Sequence, residues 1–492
     1  MKAERGGLRR EMGEIEVATQ ELQRQLSVIQ SADADKRITL DDRGLSTVFA
    51  EIIKPRHRYC TTSRGWMFFD GTRWVDDVGG VKVAEQAKEF AGVFGLYASH
   101  FIHEDENKRA AYMRTAAKYG SLRFRQTLIA DAQSVFPVSR ADFDRDESLL
   151  NLLNGTLDLE SGALLPHDSA ELLTKRANVI FDPDAPFEAW EKFVSQVMEG
   201  NREKIAYLQR ICGLCLTADT SLECLWLLYG ASTRNGKSTF VETMARLLGD
   251  YALSTPPETL AQRKRQAGTA SGDLARLDGC RFLNASEPPK RMLLDTALVK
   301  TLTGRDSITA RNLYEREFQF VPKFKLLINT NNLPVVSDDT LFTSGRVRVI
   351  EFPHHFTETE QDPNLKRRLC QPENLSGLLN WCLAGLREFH RIGEKPPASV
   401  KTATASYQKD SDKISMFFSE AMDADAKANV AGSTAYEAYS QWCNDSGFGV
   451  DSKSSFFADL RSRNLLAETA TVNGKTVHNA IRGYRIRPMW VL

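Results

Sequence analysis

Residues 228–240 read LYGASTRNGKSTF, which sets a lysine and two hydroxyl side chains immediately behind a glycine and after the apolar run CLWLLY. A phosphate loop needs a strand, then glycines that let backbone amides converge on an anion. It then needs a lysine and a hydroxyl at the start of a helix whose N-terminal dipole favours negative charge. Gly230, Ala231, Ser232, Thr233, Arg234, Asn235, Gly236, Lys237, Ser238 and Thr239 supply these parts, and TFVETMARLLG continues as a helix. Lys237 is suited to the β and γ phosphates and Ser238 to a magnesium ion. Five residues separate Gly230 from Gly236, where the general pattern has four. Either Ala231 stands where the first glycine usually does or the loop is one residue longer. The competing reading is a Gly-Lys-Ser in a surface turn; the strand before and the helix after favour a nucleotide.

Three further side chains carry chemistry at the right kind of place. The strand RFLNAS delivers Glu287 to its carboxyl end, where a carboxylate can hold a magnesium shell and orient an attacking water. KFKLLINTNNLP ends another strand in a polar cluster, and Asn331 at its tip can bond a γ-phosphate or a lytic water. SGRVRVIEF puts Arg346 at the start of a further strand, from which an arginine could reach the nucleotide of a neighbouring subunit. The bland counterparts are a helix-capping or surface Glu and a turn-forming Asn before Pro334.

The elements that must hold these residues follow from the rest of the chain. At 492 residues the protein is too long for one core, and 42% hydrophobic with 26% charged residues is ordinary for a globular protein. The formal net charge is zero, so any nucleic acid must be held by local basic patches. The charged start MKAERGGLRREMGE lacks the apolar core of a signal peptide, and no window has the apolar length of a membrane span. An intracellular protein with no membrane partner is expected, cytoplasmic in a bacterial host. Residues 1–38 carry a short heptad of apolar residues, a coiled coil or an amphipathic helix. Residues 39–185 mix strands and helices, with Asp70-Gly71 as a hairpin signal. From 186 to 395 strands alternate with helices in the manner of an α/β nucleotide-binding core. Residues 396–412 read as a linker and 413–492 as a last domain. Cys212 and Cys215 form a lone C-x-x-C in an apolar segment and are expected in the core. His100 and His103 beside acids read as a surface charge cluster rather than a metal site.

The run from RNGKST through RFLNASE, the segment 297–334 and GRVRVIEF resembles the superfamily 3 helicases, specifically the helicase portion of phage and plasmid primase-helicases, and is similar to poxvirus primase-helicases. The resemblance covers about residues 40–490. It implies an α/β fold: an AAA+ P-loop ATPase core, an α+β N-terminal domain and a C-terminal winged helix. It implies a hexameric ring that uses ATP and Mg2+ to move 3′ to 5′ on single-stranded and forked DNA. Lys237 and Ser238 then match the Walker A pair, Glu287 the Walker B acid, Asn331 the sensor, and Arg346 the second arginine of a finger pair. Gly345 stands in place of the first arginine, which leaves Arg348 as a second candidate. Asn284 and Ser286 precede Glu287, so only one acid is present and Ser238 with water would hold most of the magnesium.

Between Glu287 and Asn331 the family has a DNA-contacting hairpin, here with arms SITARNL and FQFVPKF. Arg316, then Arg311 and Lys300, are its candidate phosphate contacts; salt bridges or a solvated face are the alternative. QRKRQ at 262–266 and KRR at 366–368 have weaker claims. The last segment is expected as three helices followed by two strands, with Lys453, Arg461 and Arg463 on a recognition helix that contacts either DNA or protein. Primase-helicases carry a catalytic primase module ahead of this region, and the 38 or so leading residues are too few for one. Priming is expected from a separate polypeptide. The competing function is an ATP-regulated initiator or helicase loader that does not unwind.

Overall fold

The computed structural model describes residues 2–103, 105–262, 272–311, 317–336, 338–446, 448, 450–472 and 474–490, with side chains from residue 18 onward. It divides into two compact units, Met1–Arg176 and Ala177–Leu492.

The first unit packs helices α1 (Lys2–Ala34), α2 (Asp42–Ile53), α3 (Val81–Phe101), α4 (Glu106–Lys118) and α5 (Leu122–Ala132) around one apolar cluster. Leu45, Val48, Phe49 and Ile52 recur at helical spacing along α2 and are all buried, and Asp41 caps its start by accepting from the Gly44 amide at 2.9 Å. The heptad of α1 is spent within the chain at its C-terminal end: Ile29 is buried in this core while Leu22 remains exposed. Asp33 at the end of α1 accepts from Tyr112 at 2.7 Å, Lys108 at 2.8 Å and Tyr97 at 2.9 Å, which ties α1 to α3 and α4. Beside the helices lie two antiparallel sheets, β1 (His57–Cys60), β2 (Gly65–Phe69) and β3 (Trp74–Asp76), and β4 (Leu149–Asn151), β5 (Thr156–Asp158) and β6 (Leu164–Leu165). The expected hairpin at Asp70-Gly71 joins β2 to β3: Gly71 has φ 101°, and Asp70 Oδ1 accepts from the Thr72 amide at 2.8 Å.

The second unit is built on a five-stranded, all-parallel sheet. Its strands are β7 (Leu225–Tyr229), β8 (Ala252–Thr255), β9 (Phe282–Ser286), β12 (Lys325–Thr330) and β13 (Val347–Glu351), in spatial order β13-β7-β12-β9-β8. Strands β7 and β12 are interior and almost wholly buried; β7 reads as an unbroken apolar run, whereas β12 buries Lys325, Asn329 and Thr330 around its Leu-Leu-Ile centre. Leu225 and Leu227, Leu326 and Ile328, and Val347 and Val349 belong to one core cluster, as the period of two requires. Helices α6 (Glu188–Val197), α7 (Arg202–Leu214) and α8 (Lys237–Leu248) belong to this unit, and α8 buries Phe240, Val241, Met244 and Leu247. Cys212 and Cys215 are buried, as expected of core cysteines. Between β9 and β12 a short antiparallel hairpin pairs β10 (Ile308–Ala310) with β11 (Phe318–Phe320), on the two arms read from the sequence.

Two segments depart from the sequence reading. The expected linker contains a helix, Ala398–Asp410, which buries Val400 and Tyr407; its Thr404 hydroxyl accepts from the Val349 amide of β13 at 3.0 Å. The last segment holds the three expected helices, Lys413–Ala421, Gly432–Asp445 and Lys453–Ser462, but three strands rather than two. The extra strand, Met422–Ala431, pairs with Lys475–Ile486, which also pairs with Leu466–Val472. Its sequence, MDADAKANVA, has little intrinsic strand preference, and pairing with its neighbour decides the conformation.

Candidate functional site

Strand β7 ends at Tyr229 and α8 begins at Lys237, so residues 230–236 form a loop at the carboxyl edge of the sheet. A Cβ on Gly230 would lie 2.0 Å from Asn235 Nδ2 and 3.0 Å from Lys237 Nζ, and only glycine allows that approach. Gly236 has φ 81°, and a Cβ there would meet Val197 of α6 at 2.5 Å. Asn235 closes the loop by donating to the Ser232 carbonyl at 2.6 Å. From outside, the Phe356 amide donates to Arg234 O at 2.9 Å, and His355 Nδ1 lies 2.8 Å from Thr233 O. Sequence reasoning missed these braces at 355–356, which have no motif of their own; they follow β13 and arrive beside the loop only through sheet order.

Lys237 is 4% exposed. Its ammonium donates to Asn331 Oδ1 at 2.6 Å and to Asn235 Oδ1 at 2.8 Å, and lies 3.5 Å from Gly230 O. All three acceptors are neutral, and among the described residues no carboxylate lies within ion-pair distance of it. Burial pulls its pKa down to about 8, opposed by the charge of Glu287. The cation is therefore held in place without an ion-pair partner, Glu287 acting on it only from beyond that distance. Asn331 reaches it from the end of β12, and Glu287 stands exposed just past β9 with a left-handed φ of 54°, its amide donating to Asn329 O at 2.9 Å. A non-glycine residue in that region is strained, and such strain concentrates at functional positions. Ahead of Glu287 the strand carries amides rather than acids: Ser286 Oγ accepts from Asn284 at 2.7 Å and from Asn329 at 3.2 Å. Ser238 is exposed and Thr239 half-buried in the first turn of α8. The carboxyl ends of β7, β9 and β12 thus gather the phosphate-loop candidates, Glu287 and Asn331.

Arg346 lies at the other end of the sheet. Val347 pairs with Leu225, so Arg346 is level with the residue before β7, six residues from Gly230 along the strand direction, or about 20 Å. Its guanidinium pairs with Glu223 and donates to Thr303 Oγ1 at 3.2 Å. Arg348 is committed elsewhere, gripped by Glu394 at 2.9 and 3.0 Å with a further bond to Gly345 O.

The DNA candidates are dispersed. Lys300 donates to Asp338 and Thr340, each at 2.6 Å, so the salt-bridge alternative describes its state in this structure. Arg311 directly follows β10, whereas Arg316 lies outside the described residues. Lys453 is exposed, 5.9 Å from the rings of Tyr436 and Phe457; Arg461 donates to Asn479 at 3.0 Å, and Arg463 pairs with Asp412. Of the weaker basic clusters, residues 263–266 lie outside the described residues, while Lys366 pairs with Glu242 and Arg368 with Asp362 at 2.9 Å. Among the described residues no cluster of His, Cys, Asp and Glu could hold a metal ion, and no helix is long and apolar enough to cross a membrane.

Comparison with known proteins adds a second line of observation. Residues 46–199 match a family described as D5 N terminal like, and residues 228–346 match a family of unknown function, DUF5906. Viral proteins named as candidate helicases are also similar to this chain. These matches support the likeness to the D5-like primase-helicases of phages and viruses. The relative from Acanthamoeba polyphaga mimivirus is 27% identical over 300 residues, covering 57% of this chain and 31% of that protein. The relative from Frog virus 3 is 30% identical over 236 residues, covering 44% and 24%, and that from Invertebrate iridescent virus 3 is 24% identical over 383 residues, covering 70% and 39%. The chain thus spans well under half the length of each. The apo structure of the NrS-1 C-terminal region aligns with 90% of this chain and all of its own, at 9% identity and a TM-score of 0.43.

Proposed function

We propose that the protein is an ATP-dependent DNA helicase of phage or mobile-element replication, with a superfamily 3 AAA+ core that hydrolyses ATP between the subunits of a hexameric ring. The observation that carries this reading is the buried Lys237 ammonium. It sits at the carboxyl edge of a parallel sheet with neutral acceptors alone, where a bound anion would supply the missing charge. The site fits a nucleotide triphosphate with Mg2+: the loop 230–236 presents amides at a helix start, Gly230 leaves room for close backbone approach, and Ser238 is exposed to ligate a cation. Magnesium, when bound, neutralises charge on the β and γ phosphates. In this reading Lys237 holds the β and γ phosphates, Glu287 orients the attacking water and Asn331 positions it against the γ phosphate. Arg346 serves the nucleotide of the adjacent subunit, since its own lies too far away. The intrachain grip on Arg348 favours Arg346 for that task.

The β10–β11 hairpin, with Arg311 and Arg316 between its arms in sequence and Lys300 ahead of it, would follow the strand backbone. The C-terminal helix–strand–helix–helix–strand–strand order supports a winged helix, with Lys453, Arg461 and Arg463 as contacts to DNA or protein. A separate primase would supply primers, and 3′ to 5′ movement is the family expectation. The test is ATP hydrolysis with and without single-stranded DNA, together with strand displacement on a 3′-tailed fork, for wild type and Lys237→Ala. DNA-stimulated hydrolysis with unwinding, both lost in the variant, is the expected result. ATP and DNA binding without unwinding would replace this reading with that of an initiator or loader.

A further inference from the structure

From Asn107 to Ala130 the chain has six basic residues, Lys108, Arg109, Arg114, Lys118, Arg123 and Arg125, and no acidic one, although its overall charge is zero. This stretch lies within the α4–α5 pair, between Glu106 at the first residue of α4 and Asp131 near the end of α5, and spans the three-residue turn Tyr119-Gly120-Ser121. Three of the cations have a carboxylate or two carbonyls as partners within the unit, and Arg114 Nε donates to the Ala110 carbonyl of its own helix at 3.2 Å. Lys108 pairs with Asp33 at 2.8 Å, Arg109 with Glu106 at 3.5 Å, and Arg125 donates to the carbonyls of Tyr119 and Gly120 at 2.7 Å. Arg114, Lys118 and Arg123 are exposed and have no carboxylate within ion-pair distance among the described residues. Arg114 and Lys118 are one turn apart on α4, an arrangement of like charges that weakens an isolated helix.

Large apolar side chains stand open between them: Met113 is 43% exposed, Leu122 62% and Phe124 38%. The inward sides of the same helices are fully used, with Tyr112, Ala116, Tyr119 and Leu128 in the core of the unit. The two helices therefore present like charges together with apolar area left open to water, and a polyanion with flat apolar groups can use both. Duplex DNA presents only phosphates and sugars to such a convex surface and would leave Leu122 and Phe124 in water. A single strand also offers unpaired bases that stack on an aromatic ring, while arginine pairs with its phosphates.

We infer that the α4–α5 face of the first unit is a binding surface for single-stranded nucleic acid, with Arg114, Lys118 and Arg123 on phosphates and Phe124 under a base. This surface is independent of the ATP site and of the β10–β11 hairpin, so it stands or falls separately from the proposed motor.

The test uses the full chain without nucleotide. An oligothymidylate carrying 5-bromouracil is crosslinked by ultraviolet light and the adducts are mapped by mass spectrometry, and affinity is measured by anisotropy across a salt series. The variants are the triple Arg114→Ala/Lys118→Ala/Arg123→Ala and the single Phe124→Ala; all four side chains are exposed, and an unchanged melting temperature confirms folding. Adducts on the Met113–Arg125 peptide are expected in wild type. The triple variant should lose them and flatten the slope of log affinity against log salt by about 2, roughly 0.7 per phosphate contact. Phe124→Ala should weaken binding about tenfold while keeping the slope. Adducts confined to other peptides, or a triple variant with wild-type affinity and slope, would overturn the inference. So would a face that binds anionic vesicles or a second copy of the chain while oligonucleotide binding stays unchanged in the variants.

Discussion

Lys237 gives the proposed ATP site a pH signature. Burial holds the unliganded ammonium at a pKa of about 8, below the lysine value of 10.5. Phosphate oxygens beside it would raise that pKa well above the working range, so the bound state holds more protons than the free state at any pH near or above 8. Affinity is then complete below pH 8 and is lost as pH rises through it. With one linked group, the protonated fraction falls from about 0.9 at pH 7 to about 0.1 at pH 9, which predicts a roughly tenfold weaker apparent affinity for Mg·ATP. Binding should take up about 0.1 proton at pH 7, about 0.5 at pH 8 and about 0.9 at pH 9. Isothermal titration in buffers of different ionisation enthalpy reads this number directly. The phosphates of Mg·ATP are already ionised over this interval, which leaves Lys237 as the source. A flat affinity from pH 7 to 9 with no proton uptake would show that the ammonium is already protonated without the nucleotide, and the argument from an uncompensated buried charge would fail.

Other perturbations separate the roles. Arg346→Ala should leave ATP binding unchanged and cut hydrolysis by about 10³ to 10⁵. If the finger acts between subunits, mixing Arg346→Ala with Lys237→Ala protein should restore part of the activity that neither has alone; normal hydrolysis by the single variant would remove Arg346 from the site. Glu394→Ala leaves the half-buried Arg348 without its carboxylate and Tyr207 without its acceptor, and a loss of about 1–3 kcal/mol in chemical denaturation is expected for the second unit. Asp33→Ala removes an acceptor shared by Lys108, Tyr112 and Tyr97 and should cost the first unit about 2–4 kcal/mol. Burial alone would raise the Asp33 pKa, but the bonds from Lys108 and the two tyrosines outweigh it and hold it low. Its contribution is therefore present above the unfolded carboxylate pKa and lost as pH falls through the folded one, so wild type and Asp33→Ala should converge in stability in acid.

The sequence made the parallel core legible because its signals are local. Strand β7 is buried and reads as an apolar run, β12 has an apolar Leu-Leu-Ile centre, and Lys237 follows its glycine at the start of a periodic helix. Turn chemistry did the same for the Asp70-Gly71 hairpin, whereas the arms of β10 and β11 were legible through the family resemblance. What could not be read depends on contacts across long separations. Strand Met422–Ala431 is a run of Ala, Asp and Lys that becomes extended because Lys475–Ile486 offers it a ladder. The helix at Ala398–Asp410 lies in a Pro, Ser and Thr rich stretch that looks like a linker until Val400 and Tyr407 are seen to be buried.

The site divides along the same line. Lys237 and Glu287 each announce themselves by what flanks them, but the bond from Lys237 to Asn331 spans 94 residues and exists only because β12 lies beside β7. Sheet order also answers a question that the spacing of motifs leaves open. Because β13 is parallel to β7, an arginine before β13 and a phosphate loop after β7 must lie at opposite ends of the two strands, about 20 Å apart. No rotamer of one arginine spans that gap. If Arg346 touches a nucleotide at all, it touches one held by another chain, and the site proposed for this protein is complete only at a subunit boundary.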